Sequence, residues 1–185
     1  TPAQGSQMND LDTLAGLMLF RDVPRRALEE LLILAPPVRF MRGQTVFHQG
    51  APSDVALLVL HGRLEASIQA GTSSRVLGDI RPGEIVGEQG LLIPGGERSA
   101  TVTARDDTSC LLLSPNVMDH AARNTAIVAL ERHLLGTLAR RIRSTNLAIQ
   151  QAWKAETPSP SATADAAPPA RLSLGQRLAS LFGGR

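Results

Sequence analysis

Val86-Gly87-Glu88-Gln89-Gly90-Leu91-Leu92-Ile93-Pro94-Gly95-Gly96-Glu97-Arg98-Ser99-Ala100-Thr101-Val102 is the stretch from which the rest of the chain is best read. A Gly-Glu pair stands at the expected start of a short helix, and an Arg-Ser-Ala follows ten residues after the Glu. A helix beginning near Gly87 aims unpaired backbone N–H groups at an anion. Arg98 adds a forked, permanently charged donor suited to two phosphate oxygens. Ser99 and Ala100 are small enough to let their amides approach the same group. Glu88, acceptor-only when ionised, suits the hydroxyl donors of a ribose. The alternative is an ordinary surface ion pair between Glu88 and Arg98, which is worth little by itself.

Outward from this stretch, the pattern changes twice. Asn9 to Leu34 reads as helical, with Leu11, Leu14, Leu17, Met18, Leu28, Leu31 and Leu32 at helix spacing. Asp22 and Pro24 suggest a capped start for the second helix of this region, and Pro36-Pro37 ends it. From Val38 to Leu113, short apolar runs are cut by turn signals at Gly43, Gly50-Ala51-Pro52, Gly62, Gly71, Pro82-Gly83 and Gly95-Gly96. That rhythm predicts antiparallel strands in a roll or sandwich. Ser114-Pro115 marks a helix start, with Ser114 as cap. A long helix is expected from Thr125 to Lys154, its apolar positions Ile127, Leu130, Leu134, Leu138, Ile142, Ile149 and Trp153 recurring every three or four residues. One stripe of that length exceeds what a small roll needs as cover, and a helix–helix dimer seam is its natural use. Folding back on its own domain is the alternative.

The stretch 86–102 strongly resembles the phosphate-binding cassette of cyclic-nucleotide-binding domains, in the version found in bacterial cAMP receptor proteins. Arg42-Gly43-Gln44-Thr45-Val46-Phe47-His48-Gln49-Gly50 resembles the family's glycine-bracketed strand and turn. Leu57-Leu58-Val59-Leu60-His61-Gly62-Arg63-Leu64-Glu65 resembles its next strand, turn and strand. The matching positions run from about Leu19 to Asn146. The resemblance implies that Glu88 holds the ribose 2′-hydroxyl and Arg98 the cyclic phosphate, with Gly87, Gln89, Gly90, Ser99 and Ala100 lining the cassette. It also implies a base-reading pair, Thr145 and Asn146, on the long helix that pairs two subunits; a polar break fixing the register of the seam is the other reading of those two residues. Gln89 stands where the family usually has an apolar residue. The family's transcription factors continue into a winged helix-turn-helix, and no recognition-helix pattern follows here, so sequence-specific DNA binding is not expected.

The implied fold class is α+β: an antiparallel β-roll (jelly-roll-like) with N-terminal helices and a long C-terminal dimerisation helix. The chain divides into a disordered N-terminus (1–8), a cyclic-nucleotide-binding domain (9–154), a disordered Pro/Ala-rich linker (155–170) and a short amphipathic tail (171–185). Leu174, Leu178, Leu181 and Phe182 in that tail suit docking in the groove of a protein partner, with an incidental frayed tail as the alternative.

At 185 residues and 43% hydrophobic content, one core needs no disulfide staple. The single cysteine, Cys110, lies in an apolar run and reads as a buried hydrophobe. With no signal-peptide pattern and no apolar run long enough to span a bilayer, the expected setting is cytoplasmic. The net charge of +2 hides a local excess: residues 123–154 carry six basic side chains and one acidic. Arg132, Arg140, Arg141 and Arg143 in that segment read as a solvated face. The four His residues show no metal-ligand spacing, and no nucleophile elbow or Walker loop is present, so no cofactor, metal or catalytic residue is expected. The ligand expected is cAMP or another cyclic nucleotide, bound by a homodimer. A ligand-free dimeric adaptor and a cyclic di-GMP sensor are the alternatives.

Overall fold

The computed structural model of the chain describes residues 4–93 and 95–156, with side chains from Asp10 to Trp153. Residues Thr1–Arg143 belong to one compact unit, and a second begins at Ser144. The first unit opens with α1 (Gln4–Gly16), a short 3₁₀ turn at Met18–Phe20, and α2 (Arg25–Leu34). The helix α1 starts at Gln4, earlier than the Asn9 boundary expected from hydrophobic spacing. Leu11, Leu14, Phe20, Leu28 and Leu31 are buried, whereas Met18 faces out at 81% exposure. The expected Asp22 cap is not made: Pro24 itself holds the N-cap position of α2, without a side-chain hydrogen bond. Pro36 and Pro37 follow the helix as anticipated, and Pro37 leads directly into the first strand.

Ten strands follow. In chain order they are β1 (Pro37–Phe40), β2 (Thr45–Phe47), β3 (Pro52–Ser53), β4 (Ala56–His61), β5 (Leu64–Ala70), β6 (Ser73–Ile80), β7 (Ile85–Val86), β8 (Gly96–Glu97), β9 (Thr101–Ala104) and β10 (Thr108–Leu113). The short helix α3 (Gln89–Leu92) interrupts them between β7 and β8. One four-stranded sheet runs β1-β10-β4-β7, a second runs β2-β9-β5-β6, and β3 pairs with β8 as a two-stranded ribbon. Every pairing is antiparallel.

The uninterrupted apolar run of β4 has a simple cause: both faces of this strand are buried. Leu57 and Val59 point into the roll with Leu64, Val102, Ala104 and Cys110. Ala56, Leu58 and Leu60 point the other way, against the helices, with Leu14, Phe20, Leu28, Leu31, Ile127 and Leu130. A strand covered on both sides loses the polar–apolar alternation of a half-solvated one. Each fully buried Leu stabilises the fold by roughly 1.5–3 kcal/mol relative to an exposed one.

After β10 the chain forms α4 (Pro115–Met118) and then α5 (Thr125–Glu156). Pro115 occupies the first turn of α4 as read, but the Ser114 hydroxyl makes no capping bond. The effective cap is Asn124, which the sequence reading passed over. Its Oδ1 accepts the N–H of Ala126 at 2.8 Å, and its Nδ2 donates to the carbonyl of Ala27 at 3.1 Å. One buried side chain thus starts α5 and ties it to α2. The helix extends to Glu156, two residues beyond the expected Lys154. From Arg140 to Trp153 its residues are all exposed, and Trp153, an apolar position of the expected stripe, is 69% exposed. Residues 157–170 of the linker and the tail residues Leu174, Leu178, Leu181 and Phe182 lie outside the described residues.

Candidate functional site

A cavity of about 360 Å³ opens beside α3, inside the first compact unit. Val86, Val102, Ala66 and Ile80 form an apolar wall, and Gly87, Glu88, Gln89, Arg98, Ser99 and Ala100 line the polar side. Six of the sequence-predicted residues therefore share one pocket. Gly90 does not line it; it is buried in the first turn of α3, against Ser53. Thr145 and Asn146 lie on α5 in the second unit, both exposed.

The cassette is positioned by backbone geometry. Gly87 adopts φ +77°, a left-handed conformation that side chains rarely tolerate. It is also packed: a Cβ there would stand 2.5 Å from Arg98 Nη1 and 3.0 Å from the Phe47 ring. Glycine is thus required twice over, once for the turn and once for the arginine. α3 starts directly after Glu88, as the sequence predicted. Among the described residues, the N–H groups of Ser99 and Ala100 make no turn hydrogen bond.

Arg98 is 7% exposed, an unusual state for a side chain that cannot shed its charge. Its Nη1 donates to the Val55 carbonyl at 2.7 Å and to that of Gly87 at 3.4 Å. Its guanidinium stacks on Phe47, 3.6 Å from the ring centroid. Two backbone hydrogen bonds to the segment between β2 and β3 hold the strand end from which it projects: Arg98 N–H donates to the Ala51 carbonyl, and Gly50 N–H to the Arg98 carbonyl, each at 2.8 Å. The nearest carboxylate, Asp54, stands 3.9 Å away, with a side chain 85% exposed. Burial lowers the Arg98 pKa from its ordinary value, and Asp54 only partly opposes this. A desolvated cation with one distant, solvated counter-charge is a site with unmet attraction for an anion.

Glu88 is 5% exposed and does not pair with Arg98. Its carboxylate accepts a hydrogen bond from Arg141 Nη1, on α5. The simple surface pair between Glu88 and Arg98 is therefore not the arrangement adopted. The basic face of α5 is corrected as well: Arg141 lines the cavity and is not merely solvated. Phe47, Ser53 and Arg141 are among the lining residues that the sequence did not announce as site residues. Phe47 lay in a quoted motif, but nothing in its neighbours announces a stacked arginine. Arg141 carried only the signal of a basic cluster.

Elsewhere, the Cys110 thiol is fully buried, and burial pushes its pKa up to about 12, consistent with an inert core residue. Among the described residues, no group of three His, Cys, Asp or Glu side chains is placed to hold a metal, and no helix is long and apolar enough to cross a membrane.

Residues 37–132 match the cyclic nucleotide-binding domain family. Over 139 residues the chain is 30% identical to the CRP-like cAMP-activated global transcriptional regulator of Mycobacterium tuberculosis, covering 73% of this chain and 59% of that protein. It is 32% identical over 120 residues to acetyltransferase Pat of Mycolicibacterium smegmatis, covering 60% of this chain and 36% of the enzyme. Among solved structures, the catabolite activator protein of Thermus thermophilus superposes with a TM-score of 0.62 at 28% identity, over 72% of this chain and 62% of that one. The chain thus spans only part of these relatives, about three fifths of the regulator and about a third of the acetyltransferase. With a family match over more than half of the chain, and with the family's cassette assembled around one cavity, this chain belongs to the cyclic nucleotide-binding domain family.

Proposed function

We propose that the chain is a sensor for a cyclic mononucleotide, with cAMP the favoured ligand, and that it has no catalytic activity of its own. The single observation that carries this reading is the desolvated Arg98 facing the same cavity as the buried Glu88. Arg98 would clamp the cyclic phosphate, with the amides of Ser99 and Ala100 completing the cradle. Glu88 would accept from the ribose 2′-hydroxyl. A volume of about 360 Å³ lies at the small end of ligand sites, which span roughly 300–1,000 Å³, and suits one nucleotide better than a cyclic dinucleotide. The cAMP named for the M. tuberculosis relative supports the choice of adenine.

Thr145 and Asn146 are the proposed readers of the base edge. The proposed assembly is a homodimer through α5. Val128, Leu135, Ile142 and Ile149 recur at seven-residue spacing on that helix, and all four are exposed. Because Glu88 already holds Arg141, a ligand hydroxyl arriving at Glu88 would bear on α5, which gives binding a route to the dimer helix. Output to a protein partner in the cytoplasm, through the tail residues Leu174, Leu178, Leu181 and Phe182, completes the reading.

Isothermal titration with cAMP, cGMP and cyclic di-GMP tests it. Binding of cAMP with one site per subunit is the expected result; no heat with any of the three, at tens of micromolar protein, removes the sensor reading and leaves the ligand-free adaptor.

A further inference from the structure

Among the described residues, Ser53 Oγ is a buried side-chain oxygen with no hydrogen-bond partner, on a residue 4% exposed. An unpaired buried hydroxyl is destabilising, and folded proteins rarely keep one without use. Its position is informative. Ser53 lines the same cavity as Arg98, Ser99 and Ala100. It belongs to β3, whose partner β8 immediately precedes Arg98, with Ser53 opposite Gly96 and Pro52 opposite Glu97. The two residues after it both engage the guanidinium, Val55 by its carbonyl at 2.7 Å and Asp54 by its carboxylate at 3.9 Å. One short segment therefore carries the support of the buried cation and an unused donor side by side.

The hydroxyl is also given room. Gly90, in the first turn of α3, lies so close that a Cβ there would stand 2.7 Å from Ser53 Oγ and 2.9 Å from the Ser53 carbonyl carbon. Resting on the cyclic-nucleotide reading given above, we propose that Ser53 is a ligand-positioning residue whose hydroxyl donates to an exocyclic oxygen of the cyclic phosphate held by Arg98. A hydroxyl donating to an anionic oxygen is among the stronger hydrogen bonds a neutral side chain makes. It would fix which exocyclic oxygen faces β3, a choice that the symmetric fork of Arg98 leaves open.

The test is titration calorimetry of the whole chain and of Ser53→Ala with cAMP and with its two diastereomeric phosphorothioates, alongside thermal melts. Ser53→Ala should bind cAMP about tenfold more weakly. It should melt no lower than the parent, because an unpaired hydroxyl is removed. Sulfur accepts hydrogen bonds poorly, so the parent should prefer one diastereomer, and Ser53→Ala should lose most of that preference. Ser53→Cys, similar in shape but a weak donor, should reproduce the loss and covers the case in which the alanine variant does not fold. Unchanged cAMP affinity in either variant overturns the proposal, as does a fall in affinity that leaves the diastereomer ratio intact. Failure of the parent to bind any cyclic nucleotide refutes the sensor reading itself, whereas normal binding by parent and variants refutes only the role of Ser53.

Discussion

Arg141, on α5, donates to the carboxylate of Glu88, on the threshold of α3, across 53 residues of chain. The Glu88 side chain is 7% exposed and that of Arg141 is 57% exposed, so the pair straddles the edge of the cavity. It joins the cassette to the helix expected to form the dimer.

Arg141→Ala leaves Glu88 buried without its cation. A fully buried orphan charge costs about 3–5 kcal/mol, and an exposed pair is worth 0–1. With one partner half in solvent, the expected loss is about 1–2 kcal/mol, or roughly 2–8 °C in melting temperature for a chain of this size. Differential scanning calorimetry measures it, and an unaltered Tm would show that the contact has no net worth.

Gly87→Ala should be far more disruptive than a methyl group suggests. The residue sits at φ +77°, and the new Cβ would stand 2.5 Å from Arg98 Nη1. Backbone strain alone costs about 1–3 kcal/mol, and the guanidinium must leave its seat on Phe47. Loss of cAMP binding together with a lowered denaturation midpoint is the expected pair of results. Retention of parental affinity would contradict the packing described.

Arg98→Ala should weaken cAMP binding by about a hundredfold or more, the scale for truncating one partner of a buried charged contact. Stability should change little, since relief from a desolvated cation, whose nearest carboxylate among the described residues is 3.9 Å away and solvated, offsets the lost contacts to the Val55 and Gly87 carbonyls and the Phe47 ring. Arg98→Lys keeps the charge but not the fork or the ring stacking, and should fall between the two. Circular dichroism and calorimetry on the three proteins separate fold from affinity.

Ile142→Glu places a charge in the middle of the seven-residue series Val128, Leu135, Ile142 and Ile149. Ile142 is 63% exposed on α5, so the folded unit should tolerate the change. Sedimentation equilibrium should show dissociation at concentrations where the parent is dimeric. A variant that stays dimeric would move the seam to another face.

Alkaline stability isolates one group. The chain has no Tyr, one Cys and, in Lys154, a single Lys, so few side chains titrate between pH 8.5 and 10. Burial raises the Cys110 pKa to about 12 from an ordinary value of 9.0. The folded state therefore holds this proton while the unfolded chain releases it. Stability is fully present below about pH 9 and falls above it, at up to about 1.4 kcal/mol per pH unit, until the folded thiol also ionises near pH 12. Denaturant midpoints at pH 8, 9, 10 and 11 should drop for the parent and stay nearly flat for Cys110→Ala.

The legible part of this protein was the part set by local chemistry. Each glycine turn signal before the cassette marks a real break between strands, because a φ that only glycine adopts cheaply is a property of one residue. The stretch Leu57–Glu65 was legible as strand, turn and strand through its family resemblance, and Gly87-Glu88 announced a short helix at the right place, a pattern that needs only neighbours in sequence. Local signals also misled where packing overrode them: Asp22 and Ser114 looked like caps and form no capping bond, while Asn124 is a cap fixed by its reach to α2.

From its sequence alone, the chain determined its family, the glycine breaks between its early strands and the stretch proposed to hold an anion, all carried by short-range spacing and backbone conformation. Only the tertiary structure decided that Glu88 faces Arg141 instead of Arg98, that Arg98 lies on Phe47, and that Ser53 Oγ is left unpaired beside them. Those relations join residues far apart along the chain, 53 positions in the case of Glu88 and Arg141. They depend on how far each strand end is carried across the roll and on which groups lose water when it closes, and no spacing along the chain encodes either.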